Sequence, residues 1–280
     1  MDVEAQTIET RRGAQVRVFS GGPPDGRPVL FLHGLSGLLD DPRFAELLAQ
    51  DCRLFAPELP GYGASGDEAL FEDMLDFSLH GWDILVALGL DRQQPVLIGH
   101  SLGGMLAAEM ACLAPRDVGG LVLVDPLGLW LDQQPIPDVF AMLPYEFGEV
   151  LFASAERAAA LLPGTTDLAD PELLRDFVIA NARRLGTAGK LLFPIPNRRL
   201  SKRLYRLDVD VLLVWGEDDR YVPPAYAEQW TALLPRAELV RVPGAGHMLP
   251  YEQPAALAEA VQAYLARRPA PAGVPAGASS

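Results

Sequence analysis

Three side chains of this sequence are spaced to do chemistry together: a serine, an acid and a histidine, in that order, each just beyond an apolar run. The serine is Ser101, in Gly99-His100-Ser101-Leu102-Gly103. This G-x-S-x-G pentapeptide follows the apolar run 95–98 and precedes a helix-like run that begins at Leu102. A serine on so tight a strand-to-helix turn takes a strained backbone conformation. Its hydroxyl stands clear of the sheet, beside a helix N-terminus that favours a developing oxyanion. Small residues two positions to either side let strand and helix approach. The backbone N–H of Leu102, next after the serine, is the first expected oxyanion donor.

A serine hydroxyl needs a base to take its proton and an acid to fix the tautomer of that base. His247 follows the strand-like run 239–242 in Pro243-Gly244-Ala245-Gly246-His247, a glycine-rich loop where a mobile, exposed base is expected. His33 ends the run 29–32 and is expected to orient a loop. His100 is the variable residue of the pentapeptide, with a structural role, and His80 reads as a partly exposed helix residue. None of the histidines has metal-ligand spacing, so neither a metal nor a cofactor is expected. The acid stays open among three residues. Asp218 and Asp219 are adjacent in a loop after the run 211–215. Asp125 follows the run 121–124 and, beside Pro126, also suits a strand-end turn.

These groups must be carried to one edge of a sheet. Residues 5–20 read as a hairpin; strands at 29–33, 53–56, 95–99 and 120–125 then alternate with helices at 42–50, 74–89 and 102–113. Such alternation predicts parallel βαβ units, whose ligands sit beyond the carboxyl ends of the strands. The alternation breaks from Pro126 to about Leu207, where prolines punctuate helical patches. The clearest patch is 171–181, with Asp170 suited to cap it and Pro171 to its first turn. So long a structureless loop is improbable, which predicts a helical insertion. The core resumes at 210 and closes with an amphipathic helix over 254–265; the Pro, Ala, Gly and Ser tail 269–280 is expected to be disordered.

At this point the chain resembles the α/β-hydrolase superfamily. It is most similar to capped serine hydrolases such as carboxylesterases, cofactor-free haloperoxidases and carbon–carbon bond hydrolases. The resemblance spans residues 5–268 and rests on His33-Gly34, on Glu58-Leu59-Pro60-Gly61-Tyr62-Gly63-Ala64-Ser65, on the Ser101 pentapeptide and on the Asp219 and His247 loops. Glu58 stands where the family often has aspartate, at a structural position. The resemblance implies an α/β fold with a mostly parallel eight-stranded sheet: core 1–126, helical cap 127–206, core 207–268. It selects Asp219 as the acid, three residues after a glycine, although some relatives draw theirs from the strand that ends at Asp125. It also points to the N–H of Leu35 as the second oxyanion donor. The expected activity is hydrolysis of a small carboxylic ester through an acyl-enzyme. Carbon–carbon bond hydrolysis, perhydrolase or haloperoxidase chemistry, and a receptor-like binding role on the same scaffold are the alternatives. Carbon–carbon hydrolases often carry tryptophan after the catalytic histidine, whereas this chain has Met248.

Trp130, Phe140, Met142, Phe147 and Met248 are the candidate pocket residues, although the commoner fate of such side chains is core. The expected partner is therefore a small-molecule substrate with an apolar portion. Arg183, Arg184, Arg198 and Arg199 are candidates to meet an acidic substrate, but solvated faces are the expected reading. A formal net charge of −14 disfavours nucleic acid, whose phosphates need a basic face. No apolar run reaches the ~18 residues of a membrane span. The acidic start, Met1-Asp2-Val3-Glu4, has no signal-peptide pattern. Cys52 and Cys112 read as small buried residues of a reducing compartment, so the expectation is cytoplasmic and without a disulfide.

Overall fold

A computed structural model describes residues 3–142, 146–161, 170–193 and 199–268. The expected tail 269–280 and Arg198 lie outside the described residues. Eight strands form one sheet: β1 (Glu4–Glu9), β2 (Gln15–Gly21), β3 (Arg27–Leu32), β4 (Cys52–Pro57), β5 (Val96–His100), β6 (Gly120–Val124), β7 (Val211–Gly216) and β8 (Ala237–Val242). Their order is β1-β2-β4-β3-β5-β6-β7-β8. Only the β1–β2 and β2–β4 pairings are antiparallel; the others are parallel. The central strands read as continuous apolar runs because both of their faces are covered. Side chains alternate: Leu30, Leu32, Leu97, Leu121 and Leu123 enter one core, and Val29, Phe31, Val96, Ile98 and Val122 enter the other.

The helices are α1 (Arg43–Leu48), α2 (Met74–Ala87), α3 (Leu102–Leu113), α4 (Glu146–Leu151), α5 (Ala155–Leu161), α6 (Pro171–Leu192), α7 (Ala225–Leu233), α8 (Leu249–Glu252) and α9 (Pro254–Ala266). Residues of α1 and α9 pack on the second face, and those of α2, α3 and α7 on the first. Buried residues of α4, α5 and α6 join that first face, so the helices between β6 and β7 lie on its side. Among the described residues no helix is long and apolar enough to cross a membrane. Cys52 and Cys112 are free and buried.

Two local expectations need correction. The helix read as 171–181 continues to Leu192: Asp170 caps it through the N–H of Glu172, and its second half buries Thr187, Ala188 and Leu191. His80 is not partly exposed. Because α2 packs against α3, α6 and β1, its imidazole is fully buried beside Phe71, and burial lowers its pKa to about 4.

β3 lies between β4, which follows it, and β5, which comes next, so chain direction across the sheet reverses here. Such a switch point opens a crevice beyond the strand ends. The loop after β3 and the turn after β5 meet in it.

Candidate active site

Ser101 joins β5 to α3 with φ 55° and ψ −116°, a conformation that residues other than glycine rarely adopt. The surrounding structure enforces it. The Ser101 N–H donates to the Val124 carbonyl at 2.8 Å, and the Ser101 carbonyl accepts from Met105 and Leu127. Glycine is required on either side. A methyl at Gly99 would run into the Gly103 carbonyl, and one at Gly103 into the Leu32 carbonyl. The small residues of the pentapeptide are therefore the contact surface between α3 and the strands on either side.

A chain of hydrogen bonds starts at the serine. His247 Nε2 lies 2.7 Å from Ser101 Oγ, and His247 Nδ1 lies 2.8 Å from Asp219 Oδ2. With the Nδ1–H donating to the carboxylate, Nε2 is left as the acceptor of the serine hydroxyl. The other Asp219 oxygen accepts from the N–H groups of Tyr221 and Val222, both at 2.8 Å, so the carboxylate is fixed in direction. All three residues are buried. The exposed, mobile base expected at His247 is thus corrected. The imidazole is covered by the Tyr221 ring, 4.8 Å away, and its loop is tied down from two sides. His100 donates through Nε2 to the His247 carbonyl at 2.7 Å, and burial lowers the pKa of His100 to about 3, so the ring stays neutral. Glu252 accepts from the N–H of Gly246 and from that of Ala153, both at 2.8 Å. The Met248 N–H donates to the Leu151 carbonyl at 3.1 Å.

The three acids separate clearly. Asp219 meets His247; Asp218 is exposed and makes a backbone bond to Ala245. Asp125 is fully buried with φ 44°, and its Oδ1 accepts from the Gly216 N–H at 2.9 Å. Burial, and then the charge of Asp219, raise its pKa well above the ordinary value. Asp125 joins the ends of β6 and β7.

Leu102 is the first residue of α3, so its N–H has no acceptor within the helix. Leu35 is buried in the loop after β3. That loop is pressed onto the serine: a methyl on Gly34 would come within 3.0 Å of Ser101 Cβ. His33 holds the loop in place. Its Nδ1–H donates to the Gly34 carbonyl at 2.8 Å and its Nε2 accepts from the Leu59 N–H at 3.0 Å, while burial lowers its pKa to about 4.

Beyond Met105 and Tyr221 lies a cavity of about 40 Å³, lined also by Trp130, Ile136 and Leu192. Phe140, Met142 and Phe147 are half-buried against the first-face core, and Phe140 stacks on Phe193 at 4.9 Å. Met248 is buried and takes a long contact, 3.9 Å, from the Ser36 hydroxyl. The solvated reading of Arg183 and Arg184 holds only in part, because both are half-buried. Arg183 pairs with Glu68 at 2.7 Å, and α6 packs on the loop after β4, where Thr187 donates to the Pro60 carbonyl at 2.8 Å. The tie made by Glu252 has no signature in the sequence, since one of its partners, Ala153, is remote in the chain.

A family model described as the alpha/beta hydrolase family matches residues 29–260. The dihydrolipoyllysine-residue acetyltransferase component of the acetoin cleaving system of Pseudomonas putida is 28% identical over 261 residues; the match covers 86% of this chain and 64% of that protein. This chain thus spans under two thirds of that relative's length. Lipase 1 of Psychrobacter immobilis is 26% identical over 270 residues, covering 88% of this chain and 79% of the lipase. Among solved structures, a bacterial membrane phospholipase A superposes with a TM-score of 0.78 at 22% identity, over 95% of this chain and 86% of its own.

Proposed function

The chain belongs to the alpha/beta hydrolase family, and from that premise we propose that it is a serine hydrolase acting through Ser101, His247 and Asp219 on small carboxylic esters. The observation that carries this reading is the hydrogen-bond chain from Ser101 Oγ through His247 to Asp219 at the carboxyl end of the sheet. Ser101 Oγ attacks the ester carbonyl while His247 Nε2 takes its proton. The Leu102 and Leu35 N–H groups hold the oxyanion. His247 returns the proton to the leaving alcohol, and the ester oxygen departs to leave an acyl-serine. Water, deprotonated by the same imidazole, then releases the acid and restores the serine. Asp219 stabilises the imidazolium in both halves. Burial strengthens each of these electrostatic contacts.

Residues 127–206 act in this reading as a cap that selects substrates, with Trp130 at the cavity beside Tyr221 and Met105. The apolar lining there suits a short apolar portion of the substrate. A panel of p-nitrophenyl esters from acetate to octanoate tests the reading. Turnover that falls by about three orders of magnitude or more in Ser101→Ala is expected, together with a changed ranking of chain lengths in Trp130→Ala. A folded protein that cleaves none of these esters, yet cleaves a dienoate carbon–carbon bond, would overturn it.

A further inference from the structure

A second cavity, of about 220 Å³, lies between α6 and the loop that follows Leu35. Ser36, Gly37 and Leu38 form one wall, Tyr62 another, and Asn181 and Arg184 of α6 the roof. Arg184 is out of keeping with its neighbour. Arg183 has its guanidinium satisfied by both Glu68 oxygens and the Ser65 carbonyl. Arg184 is half-buried, and among the described residues its guanidinium is paired with no carboxylate. Nη2 donates to Asn181 Oδ1 at 2.5 Å, and its buried Nε has no partner among the described residues. Close by, the Tyr62 hydroxyl is buried and likewise has no partner. Burial holds the Tyr62 phenol well above its ordinary pKa, so this hydroxyl is a donor. The acid that lines the cavity, Glu58, is already occupied: Arg17 Nε donates to it at 2.8 Å and the Ala64 N–H at 2.7 Å.

A cation taken from water without a counter-charge is costly, and so is a buried hydroxyl without a partner. Arg184 and Tyr62 both line this one space. A carboxylate would satisfy both, taking the guanidinium fork and the phenol O–H. The location says whose carboxylate. The cavity wall Ser36–Leu38 continues directly from Leu35, and Ser36 touches Met248, the residue after His247. Thr187 and Arg183 pin α6 to the loop after β4, so Arg184 sits at a fixed position relative to the serine.

We infer that this cavity binds the carboxylate of an acidic substrate, with Arg184 as its cation and Tyr62 as its second donor, so that the esters turned over best carry an acid group on the acyl arm. The inference rests on the ester-hydrolase reading above and narrows its substrate class.

The test compares two esters of equal acyl length, p-nitrophenyl hexanoate and mono-p-nitrophenyl adipate, in wild type, Arg184→Gln and Arg184→Lys. Wild type is expected to favour the adipate monoester in kcat/KM. In Arg184→Gln the adipate-to-hexanoate ratio should fall about tenfold or more, the loss of one charge-assisted hydrogen bond, and chiefly through KM. Arg184→Lys should recover part of it. Because the measure is a ratio within one sample, partial unfolding cancels. A ratio changed less than twofold in Arg184→Gln, or a wild type that rejects the monoester tenfold, overturns the inference. If wild type turns over neither ester, the ester reading fails, and calorimetric titration with adipate decides the site separately. Binding lost in Arg184→Gln keeps it, and no binding to wild type removes it.

Discussion

The strand ends that carry Ser101, Asp219 and His247 and the helices between β6 and β7 are held by different means. At the strand ends, position is fixed by backbone. Parallel ladders set β5, β6 and β7 in register, and the Ser101 and Asp125 N–H groups bond to the next strand over. Glycines meet carbonyls with no room for a methyl. The helical segment is attached by side chains instead: Leu151, Ala158, Ala188 and Leu191 enter the first-face core, and a few polar ties add to them. Thr187 reaches Pro60, Arg183 and Lys190 reach Glu68, and Glu252 receives Ala153. Its long helix α6 leaves Leu173, Leu174, Val178 and Ile179 exposed. The groups aligned for chemistry are over-determined, while the elements over them are joined by side-chain packing and separable polar contacts. Changes in the first region should therefore alter rate, and changes in the second should alter preference and attachment.

The largest contrast lies among the acids. Asp219→Asn is expected to lower kcat by about four orders of magnitude, the cost of losing the carboxylate behind the imidazole in a comparable site. Asp125→Asn is expected to cost no more than a few-fold, because His247 is bonded to Asp219 and the amide oxygen can still accept from Gly216. Steady-state ester kinetics on both variants check this, and greater damage in Asp125→Asn would reverse the assignment. Glu252 comes next, because it is the residue that joins the two regions. Glu252→Ala strands the N–H groups of Gly246 and Ala153 and should cost about 2 kcal/mol in urea unfolding, with a further loss of activity as the His247 loop loosens. Unfolding and activity both equal to wild type would show that this tie is dispensable.

The smallest effect concerns the Arg183–Glu68 pair. The Arg183 guanidinium lowers the pKa of Glu68 to about 2. The folded value is below the unfolded one, so this stabilisation is present above the ordinary glutamate range and is lost as pH falls towards 2. Both side chains are about a third exposed, which keeps the contribution small. The Tm difference between wild type and Glu68→Gln should therefore be present at pH 6 and shrink as pH drops from about 4.5 to 3. A difference independent of pH would mean that the pair does not hold α6.

How far the sequence could be read divides along the same line. Ser101, the turn around it and the positions of the central strands are local consequences of glycine spacing and of apolar runs, and they are legible residue by residue. His33 and His100 were assigned structural roles from position alone, and each bonds a backbone group that shapes the site. Asp125 and Asp219 could not be separated by pattern, since both follow apolar strands. What distinguishes them is which one reaches His247 across the sheet. The burial of His80 and His247 escapes the sequence for a related reason. Each lies in a segment whose own sequence permits exposure, and each is covered by an element far away in the chain. The extra length of α6 is missed although Ala188 and Leu191 of its second half are buried at helical spacing, because arginines and glycines interrupt the apolar pattern there.

The central claim is that Ser101 is a nucleophile activated by the groups bonded to it. It is tested most directly by exposing the folded protein to a small fluorophosphonate and mapping the adduct by peptide mass. One phosphonyl group per chain on Ser101 is expected, absent in Ser101→Ala and formed far more slowly in His247→Ala. A folded wild-type chain that stays unlabelled, or carries its adduct on another residue, would contradict the account.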